Sequence, residues 1–363
     1  MDTININPPK LTAANFGRQI TCYRPKHNDY PNMSIQKVGN KIIAHNYGHG
    51  AKGWTLAPGG ANYVNDKLIS SEFAEGLKSD TPITIVGAGV IGLFTAYDLL
   101  QKGYTNLSIV ATSYEDLTSN FAGGLVYLGM ERNIGSDPAM LKLIKEISLN
   151  SYHFYSSIAK HAHKHFKDVA VFLPLYLSER IKDFDFFTEK LALRAKDVVL
   201  DFGNGIKRPV VAYENSIFIH TDKMLHDLLN YLQGNGVNCK QQTINAFTDL
   251  SDRFIINCTG LGAKKLNNDD NLISVQGHLI MLLDQNPEDM QYMIDIPLDE
   301  YTNSLGQHVR RSFYMFPKRF IDGNINAVGV IGGTFIEGAT DVTPNAENFA
   351  LLMQAAKDYF GHR

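Results

Sequence analysis

Cysteine is scarce in this chain. Its 363 residues hold three, Cys22, Cys239 and Cys258. They are widely spaced and odd in number, which excludes a disulfide framework or a paired-cysteine zinc pattern and fits a reducing, cytoplasmic setting. An excess of positive charge is also missing. The formal net charge is -3 at pH 7, so the basic surface that a nucleic-acid partner needs is not expected. Long apolar runs are absent too: residues 83–94, the longest, are too few to span a bilayer and are interrupted by Gly87, Gly89 and Gly92. No membrane partner is expected. Met1-Asp2-Thr3, followed by Pro8-Pro9, lacks the basic and apolar regions of a signal peptide, and Gly361-His362-Arg363 is not a peroxisomal address. What is present, 44% hydrophobic and 20% charged residues, is ordinary for a globular chain long enough for two domains or one large α/β unit.

The pattern of apolar residues predicts strands at 20–23 and 41–44, a helix from about Gly60 to Ile69, and a polar connector over 70–82. Ile83–Val86 reads as a buried strand, residues 93–101 as a helix closed by Gly103, and Leu107–Ala111 as a second strand. A long amphipathic helix is predicted over 140–164. Strands follow at 169–177, 198–201 and 216–219, and then a helix capped by Thr221 and ended by Gly234. Short strands at 237 and 254–256 precede strand-rich sequence at 279–283, 312–316 and 327–331. A final helix covers 345–360. Strands alternating with helices in one part and strand-rich stretches in another imply a parallel nucleotide-binding sheet beside a second, mixed unit.

Gly87-Ala88-Gly89-Val90-Ile91-Gly92 lies between the first strand and its helix, the context that a dinucleotide turn requires. Gly87 permits the tight turn, Gly89 lets backbone approach a diphosphate, and Gly92 lets helix and strand pack closely. The acidic residue expected at the end of the second strand is replaced by Thr112 and Ser113, whose hydroxyls can bond a ribose, with Ser119 a further candidate beyond them. His161, His163 and His165 read as a solvated helix end, since no carboxylate or cysteine cluster accompanies them; no metal site is expected.

His45-Asn46-Tyr47-Gly48-His49-Gly50-Ala51-Lys52-Gly53-Trp54-Thr55 closely resembles the closing flavin segment of the D-amino-acid oxidase family, which there lies near the C-terminus. Here it precedes the dinucleotide turn, so the resemblance implies a circularly permuted relative. Ala122-Gly123-Gly124-Leu125 resembles the family's turn against the isoalloxazine ring. Asn257-Cys258-Thr259-Gly260-Leu261-Gly262-Ala263, with Gln276-Gly277-His278 after it, resembles the element beside the FAD diphosphate, and Cys258 is then a buried structural residue. Arg24-Pro25 resembles the segment with the carboxylate-binding arginine, and Phe313-Tyr314-Met315-Phe316-Pro317 the strand with a carboxylate-binding tyrosine.

The resemblance implies an α/β fold with a Rossmann-like FAD-binding domain and a second mixed or antiparallel-sheet substrate domain. The first is expected at 36–130 and 216–274, with the helix at 345–360 packing nearby; the second at 1–35, 131–215 and 275–344. Gly48, His49, Gly50, Ala51, Gly53, Trp54 and Thr55 would join Gly87–Gly92, Thr112, Ser113, Ser119, Ala122–Leu125, Thr259 and Gly260 around FAD. Arg24 and Tyr314 would hold the substrate carboxylate, and the Ala51 carbonyl would face the amine. Arg310 stands where many members have a second tyrosine. With His308 and Arg311 it either selects a second negative group, as in D-aspartate oxidases, or forms an exposed basic edge. The implied reaction is oxidative deamination of an amino acid to a 2-oxo acid and ammonia, with molecular oxygen becoming hydrogen peroxide. Alternatives are a related amine or glycine oxidase, a dehydrogenase with another acceptor, or a flavin-binding protein without turnover. Self-association into a homo-oligomer stays open.

Overall fold

The computed structural model describes residues 1–130, 135–182, 184–319, 327–339 and 345–362. The first half carries strands β1 (Asp2–Asn5), β2 (Phe16–His27), β3 (Ile35–Val38), β4 (Lys41–His45), β5 (Ile83–Val86), β6 (Leu107–Ala111) and β7 (Ala170–Leu177). Then come β8 (Ala195–Asp201), β9 (Lys207–Ile219), β10 (Asn238–Gln241), β11 (Phe254–Asn257), β12 (Leu272–Leu283), β13 (Met293–Thr302), β14 (His308–Arg319) and β15 (Ala327–Glu337). The helices are α1 (Gly53–Ile69), α2 (Val90–Gln101), α3 (Pro138–Ala159), α4 (Asp185–Leu191), α5 (Thr221–Gly234), α6 (Ala263–Leu266) and α7 (Ala346–Phe360). No helix among the described residues is long and apolar enough to cross a membrane.

The smaller sheet has the order β10-β6-β5-β11-β4-β3. Its pairings are parallel except for β3 with β4. Ile83, Thr84, Ile85 and Val86 are all buried because both faces of the sheet are covered, as a parallel sheet requires. Apolar residues of α1, α2, α3 and α5 form the large core on one face, and Ile244, Phe247 and Leu250 cover the other. The expected β5-α2-β6 unit is present, with both strands at their predicted bounds.

The larger sheet runs β1-β8-β9-β7-β13-β14-β15-β12-β2 and is mostly antiparallel. Residues 216–219, expected in the nucleotide-binding unit, instead end β9 and pair with β7 here. The C-terminal helix is also displaced from its expected place. Phe349, Leu352, Ala356 and Phe360 of α7 share a core with Ile280, Phe313, Met315 and Ile331 of this sheet, so the helix packs on the larger sheet. Strand β13, where Pro297 and three acidic residues interrupt the alternation, and the short α4 are not expected from the pattern of apolar residues.

Helix α1 begins at Gly53, about two turns before the expected start near Gly60. Two side chains of α3 make this possible. Pro58 lacks the N–H that the Trp54 carbonyl would accept, and the Tyr155 hydroxyl donates to that carbonyl at 2.9 Å instead. The Gly59 N–H donates to the Ser151 hydroxyl at 2.9 Å. A Cβ on Gly59 would fall 2.2 Å from the Ile147 carbonyl oxygen, so glycine lets the two helices touch there. Thr221, expected as a cap, is the first residue of α5 with His220 at the cap position. Its hydroxyl donates to the Asn120 and Ala122 carbonyls.

Candidate active site

A cavity of ≈ 1330 Å³ is lined by both sheets. Strand β5 runs into it through Gly87, whose φ is +112°. A Cβ there would lie 2.4 Å from the Cys258 carbonyl oxygen, and one on Gly92 would lie 1.9 Å from the Gly87 carbonyl oxygen. Only glycine closes this turn. Helix α2 then starts with Gly89 at its cap and no side-chain cap; the Val90 N–H donates to the Ser119 hydroxyl at 3.0 Å. The start of α1 lies on the same cavity, likewise without a side-chain cap, after Gly48 and Gly50 with φ of +85° and +57°. Trp54 Nε1 donates to the Ser119 carbonyl at 3.1 Å, so Ser119 joins the two helix starts. Two positive helix ends therefore meet one cavity, a setting suited to a ligand with negative charge at two points.

At the outer end of the dinucleotide turn, Thr112 and Ser113 line the cavity together with Gln242, Thr243 and Asn245. Thr243 Oγ1 donates to Thr112 Oγ1 at 3.2 Å, and the Gln241 amide donates to the Thr112 carbonyl at 3.1 Å. Hydroxyls and amides occupy the place of the missing carboxylate.

The segment bearing Ala122, Gly123 and Gly124 forms another wall. Gly124 has a φ of +97°, and its carbonyl accepts from the Ile219 N–H at 2.7 Å. A Cβ on Gly123 would meet the Phe316 ring at 2.5 Å, so the bare backbone is what lets that ring close in. Thr259 is held by Asn257, whose side-chain oxygen accepts from its N–H and hydroxyl. Gly260 follows with a φ of +56° against Pro25.

At the other end, Arg24 and Tyr314 converge from strands separated by β12 and β15. Each side chain crosses a glycine on the way. A Cβ on Gly277 of β12 would lie 2.5 Å from the Arg24 guanidinium, and one on Gly332 of β15 would lie 2.4 Å from the Tyr314 hydroxyl. Arg24 Nη1 donates to the Thr334 carbonyl at 3.1 Å, and its guanidinium lies 4.7 Å from the centre of the Phe335 ring. Burial pushes the Tyr314 hydroxyl up to about 12, with the neighbouring Arg24 charge opposing. The Tyr314 ring stacks on Phe316 at 4.7 Å and 9°. Behind Arg24, His278 is fully buried and held by Thr334 Oγ1 at 2.7 Å; burial and then the Arg24 charge lower it to about 4, leaving it neutral.

Most of the residues expected at the site line this cavity. They are Arg24, Tyr314, Arg310, Gly48–Ala51, Gly53, Trp54, Gly87–Ile91, Thr112, Ser113, Ser119, Ala122–Leu125, Thr259 and Gly260. Ala51 lies in the short turn Gly50–Lys52 and is not among the residues of positive φ, so its Cβ is tolerated there. Two expected residues stand behind the wall. Thr55 is buried and its hydroxyl accepts from the Tyr127 N–H at 3.0 Å, and Gly92 packs on Gly87. Neither lines the cavity. Of the basic trio, Arg310 lies 5.2 Å from the centre of the Phe335 ring, whereas His308 is exposed and 3.0 Å from Glu300. Arg311 Nε donates to the Asp299 carbonyl at 3.0 Å. Cys258 is buried beside Thr95, 3.6 Å from its hydroxyl, and burial raises its thiol to about 12, which suits packing and not nucleophilic attack. His163 spends its Nδ1 on the backbone N–H groups of His165 and Phe166. Phe335 and Gly332 carried no signal as site residues, and Gly277 carried one only through the motif Gln276-Gly277-His278, because their roles beside Arg24 and Tyr314 come from cross-strand neighbours.

A model of the FAD dependent oxidoreductase (DAO) family matches residues 82–363. The chain belongs to that family. Its cofactor is FAD, and the cavity fits it: the glycine turn and the α2 start suit a diphosphate, and the α1 start and Gly123 wall suit a flat ring. Among solved structures, the chain is similar to glycine oxidase from Bacillus cereus ATCC 14579 at 16% identity, covering 77% of both chains with a TM-score of 0.54. It also resembles iminodiacetate oxidase from Chelativorans sp. BNC1 (13% identity, 77% and 79% covered, TM-score 0.53) and fructosamine oxidase from Aspergillus fumigatus (14%, 78% and 73%, 0.52). At such identities the likeness shows the fold. No curated protein matches the chain.

Proposed function

We propose that this chain oxidises the amine of a D-amino acid, with FAD as its cofactor and molecular oxygen as the final acceptor. The observation that carries the reading is the convergence of Arg24 and Tyr314 across Gly277 and Gly332, at one end of the cavity that Gly87–Gly89 enters at the other. A guanidinium and a phenol at one point bind a carboxylate through charge-assisted hydrogen bonds. Ala51, in the turn leading to α1, lines the same cavity, and in this reading its carbonyl accepts from the substrate amine. Bound FAD supplies a two-electron acceptor for the C–H bond beside that amine.

The chain's own contribution is orientation. Arg24 and Tyr314 hold the carboxylate end, Phe316 and Phe335 line the space beside it, and the neutral His278 keeps Thr334 against Arg24. Such positioning lowers the barrier by fixing the reacting C–H bond toward its acceptor. The overall reaction takes one amino acid, one oxygen and one water to a 2-oxo acid, ammonia and hydrogen peroxide. Arg310, beside the same Phe335 ring, favours an acidic side chain.

The order of segments supports a circular permutation. The family match begins at residue 82, just ahead of β5, while β4 and the turn after it are built from residues 41–53. Strand β4 lies parallel to β11 beside β5, and Gly48–Trp54 and Gly87–Ile91 line the same cavity. Residues 70–82 connect α1 to β5.

Peroxide release from the FAD-loaded protein with matched D- and L-amino acids tests the reading. Turnover confined to D-isomers and strongest with D-aspartate or D-glutamate is expected. Turnover of L-isomers alone, or only with an added dye acceptor, contradicts it.

A further inference from the structure

Lys318 is fully buried on β14, two and four residues beyond Phe316 and Tyr314. Its ammonium donates to the Asn120 carbonyl at 2.6 Å and to the Thr221 hydroxyl. Thr221 in turn donates to the Asn120 and Ala122 carbonyls at 3.4 and 3.3 Å, and the Asn120 amide donates to Asp222 at 3.0 Å. All these partners lie in the segment that carries Ser119 and Ala122–Gly124, or in the first turn of α5. One side chain thus gathers the back of the wall whose front is Gly123.

The arrangement is unfavourable for a lysine. Burial lowers it to about 8 against the pull of Asp222, and the start of α5 is a positive helix end. A neutral hydrogen-bond donor would gather the same carbonyls without that penalty. The retained cation implies that its charge is used.

We propose that Lys318 is a positioning residue for the flavin: it fixes the 119–124 wall from behind and keeps a positive charge there that favours the reduced, more negative cofactor. This rests on the assignment of 122–125 as the wall against the flavin ring. It does not depend on which amine is oxidised.

The test compares Lys318→Gln and Lys318→Met with the wild-type FAD-loaded protein by flavin midpoint potential, visible circular dichroism and FAD dissociation constant. Lys318→Gln keeps a donor and loses the charge: its potential should fall while its dissociation constant stays within about three-fold of wild type. Lys318→Met loses both, so its potential should fall and FAD should bind about ten-fold more weakly, with an altered flavin dichroism. A wild-type potential in Lys318→Gln overturns the charge claim, and this variant decides the matter alone should Lys318→Met fail to fold. Wild-type affinity and dichroism in a folded Lys318→Met overturn the positioning claim. A wild-type protein that binds FAD but oxidises no amine leaves this inference standing and removes the D-amino-acid reading.

Discussion

Arg24 on β2 and Arg310 on β14 face the same aromatic ring, their guanidiniums 4.7 and 5.2 Å from the centre of Phe335. Attraction to the ring offsets part of their mutual repulsion, and an anion bound between them would offset more. One carboxylate on Arg24 leaves Arg310 for a second. Arg310→Ala should therefore cost D-aspartate about ten-fold or more in kcat/KM and change D-alanine by less than about three-fold. Steady-state kinetics on the two substrates check this; equal losses on both would mean that Arg310 only shapes the strand edge.

Helix α1 depends on two hydroxyls of α3 around Pro58. Tyr155→Phe removes the donor that replaces the missing Pro58 N–H at the Trp54 carbonyl, and Ser151→Ala removes the hydroxyl that accepts from the Gly59 N–H. Each should cost about 1–3 kcal/mol in urea unfolding of the FAD-loaded protein, the range for stranding a buried backbone group. Because α1 opens onto the cavity, FAD affinity should fall in both variants. A cost below about 0.5 kcal/mol in each would show that water replaces the hydroxyls.

Buried and half-buried histidines make the fold sensitive to acid. His45, His49, His163, His220 and His278 are each lowered to about 4, with burial the largest cause. Their folded values lie below the ordinary 6.5, so between these values the unfolded chain binds more protons. The stability they contribute is present in full above pH 6.5 and is lost as pH falls toward 4. Each such group adds up to about 1.4 kcal/mol per pH unit to that loss. Thermal melts between pH 7 and 4.5 should show a steady decline, shallower in a His49→Gln variant. A flat profile to pH 4.5 contradicts the burial of these rings in neutral form.

The parts of the site legible in sequence are those where one local backbone shape dictates the residue. Gly87 and Gly92 can be read because no Cβ fits the turn, and Ile83–Val86 because a strand covered on both faces must be apolar throughout. The passage of Arg24 over Gly277 and of Tyr314 over Gly332 was not legible, since it exists only once β12 and β15 separate Arg24 from Tyr314. The same holds for α1. Pro58-Gly59-Gly60 reads locally as a helix breaker, and only Tyr155 and Ser151, distant in sequence, reverse that reading. Helix α7 was misplaced for a related reason: its apolar stripe shows that it packs, but not on which sheet.

The central claim is that Arg24 and Tyr314 present an amino acid to a flavin held by the two glycine-rich segments. Its most direct test is the visible spectrum of the FAD-loaded protein under nitrogen, with a D-amino acid added to wild type and to Arg24→Leu. The wild type should lose its yellow absorbance within seconds to minutes, and Arg24→Leu should keep both its FAD and its colour. A protein that takes up no FAD, or an Arg24→Leu variant bleached as fast as wild type, would contradict the account.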